Sequence, residues 1–380
     1  MKRFLQHISH FQLPFAFFFF FAYCQLSSVN CFSQDPQFSQ FYAAPLYMNP
    51  ALTGMTPFAR LVVNGRNQWK KNINKFDARA VSLDINLRKW KSGLGFLATR
   101  NYAGFDRQWY DAIGIGPSKK LLRQTNLGIL ASHTVQIARY WYARSGMNFS
   151  YTFRSYDFSM LEFRDQYNND GTINAQSVEN QGVDKIRYFD LSAGGLAYSY
   201  FTRDNAINYW FGFSVNHITR PDQSFLEDKS ILPMKTNIHT GAKIPIGSII
   251  ARKKYNQSIS PAINYKMQGK FDQFDVGIYW HYRPVMFGVW YRGLPAIKKD
   301  GEKDLHHDAL VFMGGVKEEN LLGFENDLII GFSYDVTISK LSASTSGTFE
   351  IAIIYEFTLY GYSRAKKPKF KEMVIPCPKL

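Results

Sequence analysis

Beyond its first few dozen residues, this 380-residue chain has no apolar run of the roughly 20 positions that a membrane-spanning helix requires. Cysteine is nearly absent: Cys24 and Cys31 lie near the start and Cys377 near the end. No G-x-S-x-G, P-loop or H-E-x-x-H sequence occurs. The first absence excludes a helical membrane protein. The last leaves no local signature of nucleophilic, phosphate-binding or zinc-dependent catalysis, and a hydrolase assembled from separate strands has no positive support.

What is present begins with Lys2 and Arg3, followed by an apolar run from Phe11 to Tyr23 dominated by Phe17 to Phe21. Its length and basic start suit a secretory signal, residues 1–33, with the small residues Cys31 and Ser33 fitting a cut before Gln34. A lipoprotein acylated at Cys24 or Cys31 is the competing reading, opposed by Tyr23 and Asn30 where a small residue is expected. Cleavage leaves Cys377 alone, so the exported protein has no internal disulfide. Losing Lys2 and Arg3 lowers the formal charge from +15 to +13. In an exported chain that excess faces lipid phosphates or an acidic protein rather than nucleic acid.

The mature chain opens on Gln34 to Met55, where Pro36, Pro45 and Pro50 interleave with Phe38, Phe41, Tyr42, Leu46 and Tyr47 around a single charge, Asp35. Proline at this spacing removes backbone donors and forbids a long helix or a central strand, so the segment is expected to lie extended. Asn49, Pro50 and Gly54 have the spacing of an N-cap, a first helical position and a C′ residue, which predicts one helical turn.

From residue 58 to 358 the dominant pattern is alternation of period two. In Leu328 to Ser339, Ile330, Phe332, Tyr334 and Val336 share one face, while Gly331, Ser333 and Asp335 share the other. Residues 78–87 and 347–357 repeat the pattern. The second face carries Gly, Ser, Ala and Asn rather than the Lys, Glu and Thr of a soluble sandwich, which suits a crowded barrel interior. Trp69, Tyr102, Trp109, Trp210, Trp280, Tyr282, Trp290 and Tyr291 lie near strand ends, where interfacial girdles are expected. The fold class is therefore all-β: a transmembrane antiparallel barrel.

Fifteen strand candidates arise, among them 92–102, 107–117 and 126–138. Single-chain barrels use even numbers, so fourteen strands are expected, with sixteen as the alternative and the surplus among the first six. A periplasmic C-terminus places the long connections 157–186, 218–234 and 294–307 outside. It places the basic turn Arg252, Lys253, Lys254 and the tail 359–380, with Lys366, Lys367 and Lys369, in the periplasm. Those cations either meet an anionic partner or simply solubilise the turn and tail. Segment 34–57, ahead of the first strand, begins on the periplasmic side, as a plug of the barrel or as a docking strip. Its candidate contacts are Phe38, Phe41, Tyr42, Pro45, Tyr47, Asn49, Pro50 and Gly54. As a plug, it buries Phe38, Phe41 and Tyr47 against inner-face Gly and Ser.

Arg66, Gln68 and Asp335 fall on the interior face. Interior Arg60, Arg66, Arg100 and Arg154 either line an anion-selective pore or pair with Asp84, Glu350 and Glu356 to fill a closed barrel. His306, His307 and Asp308 are adjacent in sequence and point to alternate faces, unlike a metal set. Asp165 to Gly171 resembles a calcium loop, but Gln166 and Ser177 stand where carboxylates are needed. No metal or cofactor is expected.

The segment Gln34 to Gly54 closely resembles the mature start of PorP/SprF family proteins, outer-membrane components of type IX secretion and gliding motility in Bacteroidota. The resemblance continues in Arg66 to Trp69, in GFSVNHITRP from Gly212 to Pro221, in Trp290 to Gly293, in GFSYDVTISKL from Gly331 to Leu341, and in Phe349 to Phe357. Residues 119–156 depart from it in length. The resemblance implies a non-enzymatic outer-membrane barrel that supports secretion or surface anchoring of large adhesins bearing a type IX C-terminal signal. As inner partners it implies a periplasmic peptidoglycan-binding lipoprotein or other type IX components. A porin-like passive channel is the alternative that the residues themselves leave open.

Overall fold

A computed structural model of the chain describes residues 35–56, 59–69, 76–105, 120–158, 161, 163–168, 170, 172, 177, 182–199, 207–226, 228–246, 257–293, 308–319, 326–339 and 347–358. The strands are β1 Ala59–Gln68, β2 Phe76–Leu87, β3 Ser92–Phe105, β4 Lys120–Ala138, β5 Trp141–Tyr156, β6 Lys185–Ser199 and β7 Asn208–Asn216. They continue as β8 Lys235–Ile246, β9 Gln257–Gln268, β10 Phe271–Tyr282, β11 Val285–Arg292, β12 Ala309–Glu318, β13 Asp327–Thr337 and β14 Thr348–Phe357. Each pairs antiparallel with its neighbour in sequence, and β1 pairs with β14, closing a barrel of fourteen strands. Closure leaves no strand edge unpaired around the wall, the condition for crossing a bilayer with strands.

Alternation sets which side chains face out. On β13, Ile330, Phe332, Tyr334 and Val336 are exposed while Ile329, Gly331, Ser333 and Asp335 are buried. The same parity holds on β2, with Val81 and Leu83 outward and Ser82 and Asp84 inward, and on β14, with Phe349, Ile351 and Ile353 outward. The apolar outside and polar inside invert the soluble pattern, as lipid requires.

The candidate strand 107–117 lies outside the described residues. β3 and β4 are hydrogen-bonded to each other from Ser92↔His133 to Phe105↔Lys120. The basic turn 252–254, the tail 359–380 and the signal segment also lie outside the described residues. Connections 157–184, 217–234 and 293–308 all follow odd-numbered strands, so they share one end of the barrel, the loop end. The tight connections Arg88–Lys91, 139–140 and 283–284 follow even-numbered strands at the opposite, turn end.

Replacing Phe332, mid-strand on the lipid face, by Arg should lower stability in vesicles by about 2–4 kcal/mol. Urea titration followed by tryptophan fluorescence reads this; an unchanged midpoint would contradict the outward assignment.

Candidate functional site

The barrel lumen is occupied by the chain's own residues 35–56. This segment is not extended. It forms a 3-10 turn at Phe41–Ala43, one α-turn at Pro45–Met48 and a second 3-10 turn at Pro50–Leu52. The reason is that Pro45 and Pro50 each open a turn, where the missing N–H has no partner to lose. Asn49 caps the last turn by accepting from the Ala51 amide at 2.9 Å, and Gly54 follows at φ +67°, a backbone conformation open to glycine.

The segment also runs the length of the barrel. The backbone amide of Asp35 donates to Gln268 at the loop end of β9, whereas the Gly54 amide donates to Asp84 near the turn end of β2. The described segment thus begins at the loop end, not on the turn side where β1 starts. The cause is tertiary: its bonding partners lie in order along the lumen.

Near the loop end, six charges gather in the interior. Glu350 accepts from the Ser39 amide at 2.7 Å and the Gln40 amide at 3.1 Å. The Ser39 hydroxyl donates to Asp335 at 2.6 Å and accepts from Arg292 at 2.9 Å and from Arg66. That exhausts the one donor and two acceptors of a hydroxyl. Arg66 pairs with Asp335 at 3.1 Å and Glu350 at 3.3 Å, Arg292 with Asp335 at 3.0 Å and Asp275 at 3.1 Å, and Lys266 with Asp275 at 3.5 Å. Three cations thereby balance three carboxylates, which is how charges persist away from water. Gln68 lies at the end of β1, half-buried on the same face.

A second cluster holds the first described residue. His217, in the left-handed region at φ 59°, places Nε2 2.8 Å from Asp35 and Nδ1 2.7 Å from Asp190, and Lys235 reaches Asp35 at 3.3 Å. Burial alone disfavours the imidazolium, but the two carboxylates outweigh it and raise the His217 pKa to about 9. Burial likewise disfavours the Asp35 carboxylate, yet His217 and Lys235 hold it well below its usual range.

Between the ends the contacts are aromatic and steric. Phe41 meets Trp290 edge to face at 4.7 Å, Phe38 meets Tyr47 at 5.3 Å, and the Trp210 indole donates to the Tyr42 hydroxyl at 3.1 Å. Phe38 and Phe41 are 2% and 4% exposed; Pro45 and Pro50 are buried, and Tyr47 is half-buried. Phe38 shares a buried cluster with Ala44, Ala78 and Ala80, and Phe41 packs on an aromatic ring. Glycine instead receives the backbone. A Cβ at Gly93 would overlap the Thr53 carbonyl and at Gly146 the Pro50–Ala51 peptide, while at Gly194 it would overlap the side-chain carboxamide of Asn49. Asn49 also donates to the carbonyls of Gly195 and Phe213, both at 3.1 Å. At the turn end Arg60 binds Asp84 through two nitrogens at 2.9 Å and reaches the Leu52 carbonyl at 3.3 Å.

Three sequence expectations are corrected here. Arg100 is exposed on the outer face over the Tyr102 ring, because Leu97 and Thr99 take the inward parity on β3. Trp210 and Trp290 are 1% and 2% exposed and face the lumen, not an interfacial girdle. Their parity with inward Gly212 and Ser214, and with Arg292, was the available signal. Arg154 is bonded to Gln223 and sits under Phe225 rather than pairing with a carboxylate. Asp275, Lys266 and the Asp35–His217–Asp190 cluster were not singled out by sequence, since nothing local distinguishes them. Among the described residues no three His, Cys, Asp or Glu side chains form a metal-binding group.

Arg66→Ala leaves Asp335 and Glu350 buried with less compensation and should cost about 3–5 kcal/mol. Chemical unfolding measures it, and a loss below that of an ordinary surface substitution would contradict the network. The His217 contribution is complete below its unfolded value of 6.5 and is lost as pH rises through about 9. The Asp35 contribution is complete above 3.8 and is lost only in acid below that value. A nitroxide at Gln37→Cys, with Cys377→Ser, should therefore be immobile at pH 6.5 and gain mobility through pH 9. Constant mobility across that range would contradict the linkage.

Among solved structures, a deletion mutant of the TodX monoaromatic hydrocarbon channel is similar at 10% identity, over 83% of this chain and 94% of that chain, with a TM-score of 0.45. The Pseudomonas putida toluene transporter TodX is similar at 8% identity, over 85% and 94%, with a TM-score of 0.41. The NanC porin is similar at 9% identity, over 79% and 100%, with a TM-score of 0.36. No curated protein sequence matches the chain. The family model described as "Type IX secretion system membrane protein PorP/SprF" matches residues 30–355. With that match covering most of the chain, and a closed barrel of apolar exterior around it, the protein belongs to the PorP/SprF family of type IX secretion system outer-membrane proteins.

Proposed function

We propose that this barrel is an occluded docking scaffold of the type IX system, one that supports secretion or surface anchoring of a large adhesin bearing a type IX C-terminal signal. Family and fold are those of a secretion-system membrane barrel, not of an enzyme class. The observation that carries the reading is the filling of the lumen. Residues 35–56 occupy it from loop end to turn end, bonded to wall carboxylates at both ends. Charge-paired interior arginines serve filling better than they serve an anion pore. On this reading cargo meets the long connections at the loop end. A periplasmic peptidoglycan-binding lipoprotein or another type IX component meets the turn end, with Arg252, Lys253, Lys254, Lys366, Lys367 and Lys369 as its basic contacts. A cleaved signal, residues 1–33, delivers the chain.

Deleting the gene should remove one adhesin from the cell surface while other type IX substrates are still exported. Surface proteomics of the deletion strain reads both; unchanged adhesin display overturns the reading. A passive channel is tested separately in planar bilayers. Wild type should give no steady single-channel steps, whereas Gly146→Val, which drives a side chain into the Pro50–Ala51 peptide, should open conductance. Steady steps from the wild type would favour the channel.

A further inference from the structure

The turn end of β2 to β5 carries a group of cations and aromatic rings. The β2–β3 connection is a single 3-10 turn, Arg88–Trp90, closed by Lys91 in the left-handed region at φ 50°. Lys89, Trp90 and Lys91 are exposed, Trp90 to 65%. The next connection along the rim presents Arg139 stacked over Tyr140 at 5.3 Å and then Trp141, 39% exposed. The two turns lie on neighbouring strands: the Thr134 amide of β4, five residues before Arg139, donates to the Lys91 carbonyl at 2.8 Å. No Asp or Glu occurs between Asp84 and Asp106, or between Asp111 and Asp157, so both turns and strands β3, β4 and β5 lack acidic residues; of the two acids on β2, Asp77 lies at the loop end and Asp84 is buried in the lumen on Arg60. The patch is therefore uniformly cationic.

Its position distinguishes the partner. The patch borders the lipid-facing surface of the same strands, where Leu94, Phe96, Ile129 and Phe149 are exposed. Val135 and Ile137, 53% and 60% exposed, continue that apolar face almost to the Arg139–Tyr140 turn. An exposed indole beside cations at the edge of an apolar band meets the headgroup layer of a bilayer. A purely aqueous acidic protein would need neither the tryptophans nor the continuity with the apolar face. We propose that Arg88, Lys89, Lys91 and Arg139 form a cationic rim that binds the phosphates of anionic phospholipids in the leaflet at the turn end, with Trp90 and Trp141 packing beside their glycerol and upper acyl regions. Cations at such a surface attract anionic headgroups through a potential that salt screens.

The test uses the full-length mature protein in vesicles of zwitterionic lipid containing a minor fraction of chain-brominated lipid, whose headgroup is either phosphatidylglycerol or phosphatidylcholine. Bromine quenches nearby tryptophan, so the ratio of the two quenching efficiencies reports headgroup enrichment at the barrel. Wild type should show a preference for phosphatidylglycerol of at least about fivefold, the effect of a single cation beside an anionic surface, and high salt should abolish it. R88Q/K89Q/K91Q/R139Q should show no preference while still migrating as a folded barrel on an unheated gel. Trp90→Phe should lose part of the phosphatidylglycerol-specific quenching. Equal quenching by both lipids in wild type overturns the proposal and leaves the patch to an aqueous acidic partner. A preference that survives the fourfold substitution overturns it as well, by placing the anionic lipid elsewhere on the barrel.

Discussion

The rest of the structure depends on one constraint: a strap of backbone is buried inside a barrel, where every donor needs an acceptor. The strap meets it in several ways, among them side-chain acceptors for the Asp35 and Ala51 amides on Gln268 and Asn49. Pro36, Pro45 and Pro50 bring no N–H at all. Ala43, Ala44, Met48, Asn49, Leu52 and Thr53 donate within the short turns. Ser39, Gln40 and Gly54 donate to wall carboxylates, Glu350 for the first two and Asp84 for the third. Those carboxylates need compensation in turn, which Arg66 and Arg60 provide. The interior charges therefore follow from the strap, and the strap's proline content from its burial.

Two kinds of anchoring coexist along the lumen. At the turn end, Gly93 and Gly146 let the strap backbone lie where any Cβ would stand, beside the Gly54 bond to Asp84. At the loop end the anchoring is ionic, with His217 held between Asp35 and Asp190. Steric contacts between packed backbones are insensitive to pH and salt, whereas an ion pair responds to protonation. The His217 anchor thus makes the loop end of the strap responsive to pH, and the loop end is where the long connections emerge.

Much of this was legible beforehand. Alternation in Leu328 to Ser339 and in residues 78–87 and 347–357 gave the strands and their inward faces, because a strand's side chains alternate whatever it pairs with. Asn49, Pro50 and Gly54 announced a turn because cap, first position and C′ are local preferences. The misreadings have equally physical sources. Trp210 and Trp290 look like girdle residues by composition, but parity with Gly212 and with Arg292 sends them inward, where the strap needs bulk against Tyr42 and Phe41. Arg100 looks interior by charge, although strand parity turns it outward.

By itself, the sequence determined the fold class, the strand faces and the presence of a proline-pinned aromatic segment, since each arises from covalent geometry and from contacts a few residues apart. Only the tertiary structure decided that this segment runs inside the barrel from loop end to turn end. Ser39 meets Glu350 across 311 positions and Asp35 meets His217 across 182. Such pairings come into being when the barrel closes and brings distant strands around one lumen, and no local preference encodes them.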